Sequence, residues 1–298
     1  MNLFKGLNGI KSMIDYSDSG MEELSGEKLR KLQLILTDML RDIVEICREN
    51  EIDVFLLGGT ALGAVRHRGF IPWDDDIDIG MTRESYRKFI PVFEKQLSDR
   101  YILNAPNYSE KILSRFPKIL KKDSYMDTGL SDDPDLCKIF IDIFIVDRIP
   151  ENPIVRRVKG LKCNALEFIG SQVAMMEQMD DQIKKRYLSG GRMGFLIRSI
   201  VGKLFSFRNS SRWYDRIDKA VQYRKESGLL GLPTGSKHYF GENFPSEVFL
   251  PTGHGEFEGH DVPMVHDTDA YLRNLYGNYM EIPPLEKRQK HFVRSLDL

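Results

Sequence analysis

In Trp73-Asp74-Asp75-Asp76-Ile77-Asp78-Ile79, aspartates give way to an alternation of aspartate and isoleucine. On an extended strand, alternate residues share a face. Asp76 and Asp78 then project together, their Cα atoms about 6.6 Å apart, while Ile77 and Ile79 enter a core. Asp74 joins the first face if the extended conformation starts early; Asp75 does not. Carboxylates crowded in this way repel, and one takes up a proton unless a cation lies between them. A hard divalent ion with oxygen ligands relieves the repulsion, and Mg²⁺ (or Mn²⁺) is the ion commonly shared with phosphates. The plainer alternative is a solvated acidic turn.

Two other features favour the metal. In Lys138-Ile139-Phe140-Ile141-Asp142-Ile143-Phe144-Ile145-Val146, Asp142 lies between Phe140 and Phe144, with isoleucines on the other face. An ionised carboxylate in so apolar a strand needs a partner. It is either a further metal ligand, a base for an attacking hydroxyl, or one half of a buried salt bridge to Arg or Lys. Upstream, Val54 to Leu57 runs into Gly58-Gly59-Thr60, 17 residues before Asp76. Glycines at a strand-to-helix turn let backbone N–H groups approach a phosphate, and the helix start adds partial positive charge. Arg66 can neutralise phosphate bidentately. His67 and Arg68 read as a solvated basic turn.

These side chains need a scaffold of strands. Leu29, Leu32, Leu36, Met39, Ile43 and Ile46 recur at three and four, which predicts an amphipathic helix over 27–50. A short helix follows over 60–67, with Thr60 available as its cap. Asp75 to Met81 reads as a strand and 83–97 as a helix that Pro91 kinks. Residues 101–105, 116–121 and 138–146 are further strands, and 152–227 is helical with breaks near Gly190-Gly191 and Asn209-Ser210. Beyond Gly231 the chain is Gly-, Pro- and aromatic-rich, with a helix over 267–276. The pattern is α/β or α+β with a helical addition. It divides into a lead-in (1–25), a catalytic core (26–150), a helical basic insert (151–230) and a C-terminal region (231–298) that completes the same domain.

The 298 residues balance 43 Lys and Arg against 44 Asp and Glu, which argues against a nucleic-acid binder. Cys47, Cys137 and Cys163 are far apart, so no disulfide framework or cysteine zinc site is expected, in keeping with a reducing cytoplasm. Neither a signal peptide nor a long apolar span is read. Charge is uneven, however. Residues 155–212 hold 12 Lys and Arg but 4 Asp and Glu, and within 192–208 Arg192, Arg198, Lys203 and Arg208 interleave with apolar and aromatic residues. Such a helix either packs on the core with a solvated basic face or lies peripherally on an anionic membrane. His254, Glu256 and His260 look like a Gly-rich hairpin rather than a metal site. Trp73 either stacks on a base or packs beneath the acidic turn.

The string GGTALGAVRHRGFIPWDDDIDIGM resembles the central motif of the LicD family, FIDIFIVD its second motif, and YLRNLYGNYMEIPPLEKRQKH (271–291) its closing motif. The family includes bacterial phosphocholine transferases and is related to fukutin-type phosphotransferases. The resemblance implies a nucleotidyltransferase-like mixed-sheet core. It implies transfer of a substituted phosphate, phosphocholine first, from a CDP-linked donor to a cell-surface glycan or teichoic-acid-type precursor, with CMP leaving. A lipid-linked acceptor would bring the enzyme to the inner face of the membrane. Carried over by position, Asp74, Asp76, Asp78 and Asp142 become the metal-binding carboxylates, with Asp76, Asp78 and Asp142 catalytic. Gly58, Gly59, Thr60 and Arg66 hold the nucleotide phosphates. Tyr276, Gly277, Tyr279, Pro283, Pro284 and Arg288 match the closing motif without an assigned role. The rival reading places NMP on a small hydroxylated acceptor and releases pyrophosphate.

Overall fold

A computed structural model describes residues 22–128, 133–178, 193–288 and 291–297. After β1 (Glu22–Glu23) comes α1 (Gly26–Glu49), whose three-and-four spacing buries Leu29, Leu32, Leu36, Met39, Leu40 and Ile43. β2 (Phe55–Leu56) leads into α2 (Gly58–His67). β3 (Asp78–Thr82) leads directly into α3 (Arg83–Gln96), where the Thr82 hydroxyl caps the helix by accepting from the Ser85 N–H. Then come β4 (Tyr101–Asn104), β5 (Lys118–Lys121), β6 (Tyr125–Asp127) and β7 (Phe140–Arg148). The helical addition comprises α4 (Pro153–Gln178), α5 (Met193–Phe205) and α6 (Ser210–Val221). β8 (Leu229–Gly231), α7 (His238–Gly241), β9 (Asn243–Pro245), β10 (Gly253–Phe257) and β11 (His260–Met264) follow. α8 (Thr268–Tyr276), β12 (Phe292–Val293) and β13 (Ser295–Asp297) complete the described chain.

The main sheet runs β10-β11-β2-β3-β7-β5-β4, with β8 beside β7 and β9 beside β8. β3 and β7 are parallel neighbours at its centre, whereas β2 and β5 flank them antiparallel. A mixed sheet covered by helices is an α/β fold. The hairpin β10–β11 joins the same sheet through a parallel contact with β2, so residues beyond 231 build the sheet that carries the acidic strands. His254, Glu256 and His260 lie on that hairpin, which turns at Glu258 and Gly259, both at positive φ. β1 pairs with β12, so the end of the expected loose lead-in is held in a two-stranded ladder.

Two boundaries beside the acidic segment differ from those read in the sequence. β3 starts at Asp78 rather than Asp75, because the Asp78 N–H turns away from the ladder and donates to the Thr60 hydroxyl at 2.8 Å. Residues 74–77 therefore lie outside the strand, following a turn closed by the Asp74 N–H and the Ile71 carbonyl. α2 starts at Gly58 with Leu57 as its cap residue, so Thr60 is not the cap and instead ties helix to strand. The expected break near Gly190-Gly191, like Arg192, lies outside the described residues. Among the described residues, no helix is long and apolar enough to cross a membrane.

The helical addition is joined to the core by a buried ion network. The Arg83 guanidinium donates to both Asp147 oxygens at 2.9 and 2.6 Å and to Asp218 of α6 at 2.6 Å. The two carboxylates hold Arg83 charged against the desolvation of its burial. Arg83→Met leaves Asp147 buried without that cation. Urea unfolding should show a loss of about 3–5 kcal/mol, and an unchanged midpoint would refute the anchoring role.

Candidate functional site

The parallel register of β3 and β7 sets Asp78 directly against Asp142. On the other side of β7, β5 sets Lys118 against the same Asp142, and the Lys118 ammonium ion-pairs with the Asp142 carboxylate. Lys118 is only 4% exposed at its side chain and lies 3.6 Å from the Phe140 ring centroid. The salt bridge considered for Asp142 is thus present, and it sits beside the acidic cluster rather than in place of it. Burial raises Asp142 above the ordinary carboxylate range, and the Lys118 charge opposes that rise.

The glycines face these carboxylates. A Cβ on Gly58 would stand 2.4 Å from an Asp78 oxygen, and one on Gly59 2.8 Å from an Asp74 oxygen. Gly58 is also at φ +51°, a conformation that side chains rarely adopt. The pair lets carboxylates press against the positive end of a helix. The Gly58 N–H donates to the Tyr271 hydroxyl at 3.1 Å, so α8 also meets α2 here. From α1, the Gln33 amide donates to the Asp74 carbonyl at 2.9 Å and braces the acidic segment.

Asp74 to Asp78 gather as one cluster. Asp76 and Asp78 stand well above the ordinary carboxylate range, first through burial and then through their acidic neighbours, Asp74 for Asp76 and Asp142 for Asp78. Burial pushes Asp74 up to about 6, opposed by His291 and aided by Asp75. Contrary to the strand-face reading, Asp75 belongs to the cluster. Its carboxylate contacts His291 Nδ1, while His291 Nε2 lies 3.4 Å from Asp74. Ligand atoms of Asp74, Asp75 and His291 all fall within 4.8 Å of one another. Hard oxygen donors that repel, plus an imidazole, fit a divalent cation. The described three-residue group includes Asp74 from the expected set and adds Asp75 and His291.

Other expected residues have different roles. The Arg66 guanidinium donates to the carbonyls of Tyr279 at 2.8 Å and Glu281 at 3.3 Å, and to His67 Nε2 at 3.0 Å. It fixes the closing segment, one guanidinium nitrogen being committed to two carbonyls and another to the His67 ring. His67 is its partner rather than a solvated base, and burial with the Arg66 charge lowers the His67 pKa. Trp73 is packed against the core and stacked by Arg288, whose guanidinium carbon is 4.2 Å from the ring centroid.

Sequence reading missed Lys118, His291 and the approach of Tyr276. Burial raises the Tyr276 pKa further than any other cause, followed by the charges of Asp78, Asp74 and Asp76, so its phenol stays protonated beside them. A lysine inside the apolar run Pro117-Lys118-Ile119-Leu120 was the available signal for Lys118. Nothing local in the sequence marks His291, since its partners lie more than 200 residues earlier.

The raised carboxylates make stability depend on pH. A group whose folded pKa exceeds its unfolded value stabilises the fold below the unfolded value, and this is lost as pH rises through the folded one. For Asp74 that window runs from 3.8 to about 6. Chelator-treated protein should therefore lose Tm as pH rises through this window, and Mg²⁺ should raise Tm more above it than below it. A Tm indifferent to pH and Mg²⁺ would exclude a cation at the cluster. Gly58→Ala should lower affinity for Mg²⁺ in the same assay by displacing Asp78; equal affinity would show that the close approach is incidental.

Residues 51–144 match the family described as LicD/FKTN/FKRP, nucleotidyltransferase domain. The chain is 29% identical over 272 residues to the lipopolysaccharide cholinephosphotransferase LicD of Haemophilus influenzae, covering 90% of this chain and 97% of that protein. A shorter similarity, 38% over 81 residues, covers 24% of this chain and 30% of an uncharacterized protein of Rickettsia prowazekii.

Proposed function

We propose that this chain is a LicD-type phosphotransferase moving phosphocholine from a CDP-linked donor to a hydroxyl of a lipopolysaccharide-type glycan, with CMP leaving. The observation that carries this reading is the placement of Asp78 against Asp142 beside the glycine-led start of α2. It occurs in a chain similar over 90% of its length to a lipopolysaccharide cholinephosphotransferase.

Asp74, Asp76 and Asp78 are assigned as the residues that hold Mg²⁺ or Mn²⁺, with Asp75 and His291 bordering them. When bound, the ion supplies charge that offsets the negative diphosphate and the oxygens of the transferred phosphoryl group. The start of α2, Gly58 to Thr60, presents its positive end to the donor phosphates. The protonated Tyr276 phenol supplies an O–H donor to the same oxygens. Asp142 takes the acceptor hydroxyl's proton, and Lys118 orients that carboxylate and opposes the rise that burial imposes on it. Arg66 acts indirectly, by fixing the carbonyls of Tyr279 and Glu281 and hence the segment that carries Tyr276. An amphiphilic glycan acceptor would place the reaction at a lipid surface, on the cytoplasmic face.

The description of 51–144 as a nucleotidyltransferase domain favours one rival, NMP transfer with loss of pyrophosphate. Incubation with Mg²⁺, a lipopolysaccharide acceptor and either CDP-choline or CTP separates the two. CMP released from CDP-choline, with choline phosphate on the glycan, is the expected result. Pyrophosphate from CTP would replace this reading with the rival. Asp142→Asn should lower kcat by about 10²–10⁴-fold with little change in KM for the donor; a change confined to KM would remove Asp142 from the proton transfer.

A further inference from the structure

The helical addition carries an apolar surface that the chemistry above does not use. On α4, Ile154, Val158 and Leu161 are 73, 65 and 59% exposed and lie on one line of the helix. On α5, Ile197, Ile200 and Leu204 form a second exposed line. The helices pack together where Gly202 of α5 meets the Gln172 carbonyl and Met176 side chain of α4. Isolated exposed apolar residues are ordinary, but stripes on adjoining helices mark a surface that meets something.

Charge identifies the partner. Residues 153–165 contain Arg156, Arg157, Lys159 and Lys162 and no acid; residues 193–208 contain Arg198, Lys203 and Arg208 and no acid. Arg157 and Lys162 are exposed beside the first stripe, Lys203 and Arg208 beside the second. Two copies of such a surface repel each other. An anionic lipid surface attracts it and also accepts the apolar stripes. A further apolar side chain extends the first stripe. The half-exposed Phe240 ring of α7 lies against Gly160 of α4.

We propose that the first turns of α4, together with Phe240 and α5, form a docking face for the surface of an anionic lipid bilayer. Such a face would present the enzyme to a lipid-anchored acceptor. The acceptor's nature rests on the function proposed above; the lipid contact itself is read without any turnover assay.

Flotation of the full chain with phosphatidylcholine vesicles, with and without phosphatidylglycerol, tests this. Binding is expected only with phosphatidylglycerol, and it should weaken with salt. Arg157→Glu and Lys203→Glu should each lower partitioning about fivefold or more. The pair Val158→Glu and Leu204→Glu should abolish flotation while release of CMP with a delipidated, water-soluble acceptor stays unchanged. Val158→Ser and Leu204→Ser serve as a second pair should the acidic pair not fold. Equal flotation of wild type and variants, or equal binding to phosphatidylcholine alone, overturns the proposal. So does a wild-type dimer in sedimentation that these substitutions dissolve, since a second copy would then be the occupant. Absence of CMP release with intact flotation would remove the proposed reaction and leave the lipid face standing.

Discussion

Carboxylates drawn together out of bulk water repel one another, and the surroundings of Asp74, Asp75, Asp76, Asp78 and Asp142 are organised around that repulsion. The parallel pairing of β3 and β7 fixes two of them side by side, so they cannot relax apart without breaking the sheet. Gly58 and Gly59 leave room for two others against the start of a helix, where the backbone is partly positive. Gln33 holds the acidic segment by its carbonyl and so leaves its side chains to one another.

Compensation is uneven within the cluster. Lys118 answers Asp142, and His291 answers Asp75 and, more distantly, Asp74. Asp76 and Asp78 stand well above the ordinary range despite these cations. The protein therefore supplies fixed positive charge at the margins and leaves the strongest demand for a cation in the middle. That division sets Asp142, whose rise Lys118 opposes, apart from Asp76 and Asp78, whose acidic neighbours add to theirs.

Much of the scaffold was legible because it follows from short-range periodicity. The three-and-four spacing of α1, the alternation in β7 and the Gly-Gly turn each report local burial, and burial is what organises them. The spacing of Asp76 and Asp78 led to the expectation that they share a crowded acidic environment, and both are raised by acidic neighbours even though the strand begins only at Asp78. A competing hydrogen bond from the Asp78 N–H to the Thr60 hydroxyl sets that boundary, and no propensity encodes it. Lys118 was obscured because a lysine in an apolar strand has meaning only once its cross-strand partner is known. Arg66 carried the right charge for phosphate, but its partners are two carbonyls brought back from the far end of the chain. His291 is the same case: its role depends on a segment that β1 and β6 hold through their pairing with β12 and β13.

That return of the chain has a consequence for assembly. Arg66 meets Tyr279, and Gly58 meets Tyr271, across 213 residues of sequence, and His291 accepts a backbone hydrogen bond from Leu24. Contacts this non-local carry a large loop-closure entropy and form late. Within the central sheet the β2–β3, β4–β5 and β5–β7 pairs join strands close in sequence, whereas the rim of the cleft depends on short ladders of two or three residues. Hydrogen exchange would therefore find the rim opening ahead of the sheet, so a folding intermediate can hold a native-like core and yet lack the finished cleft.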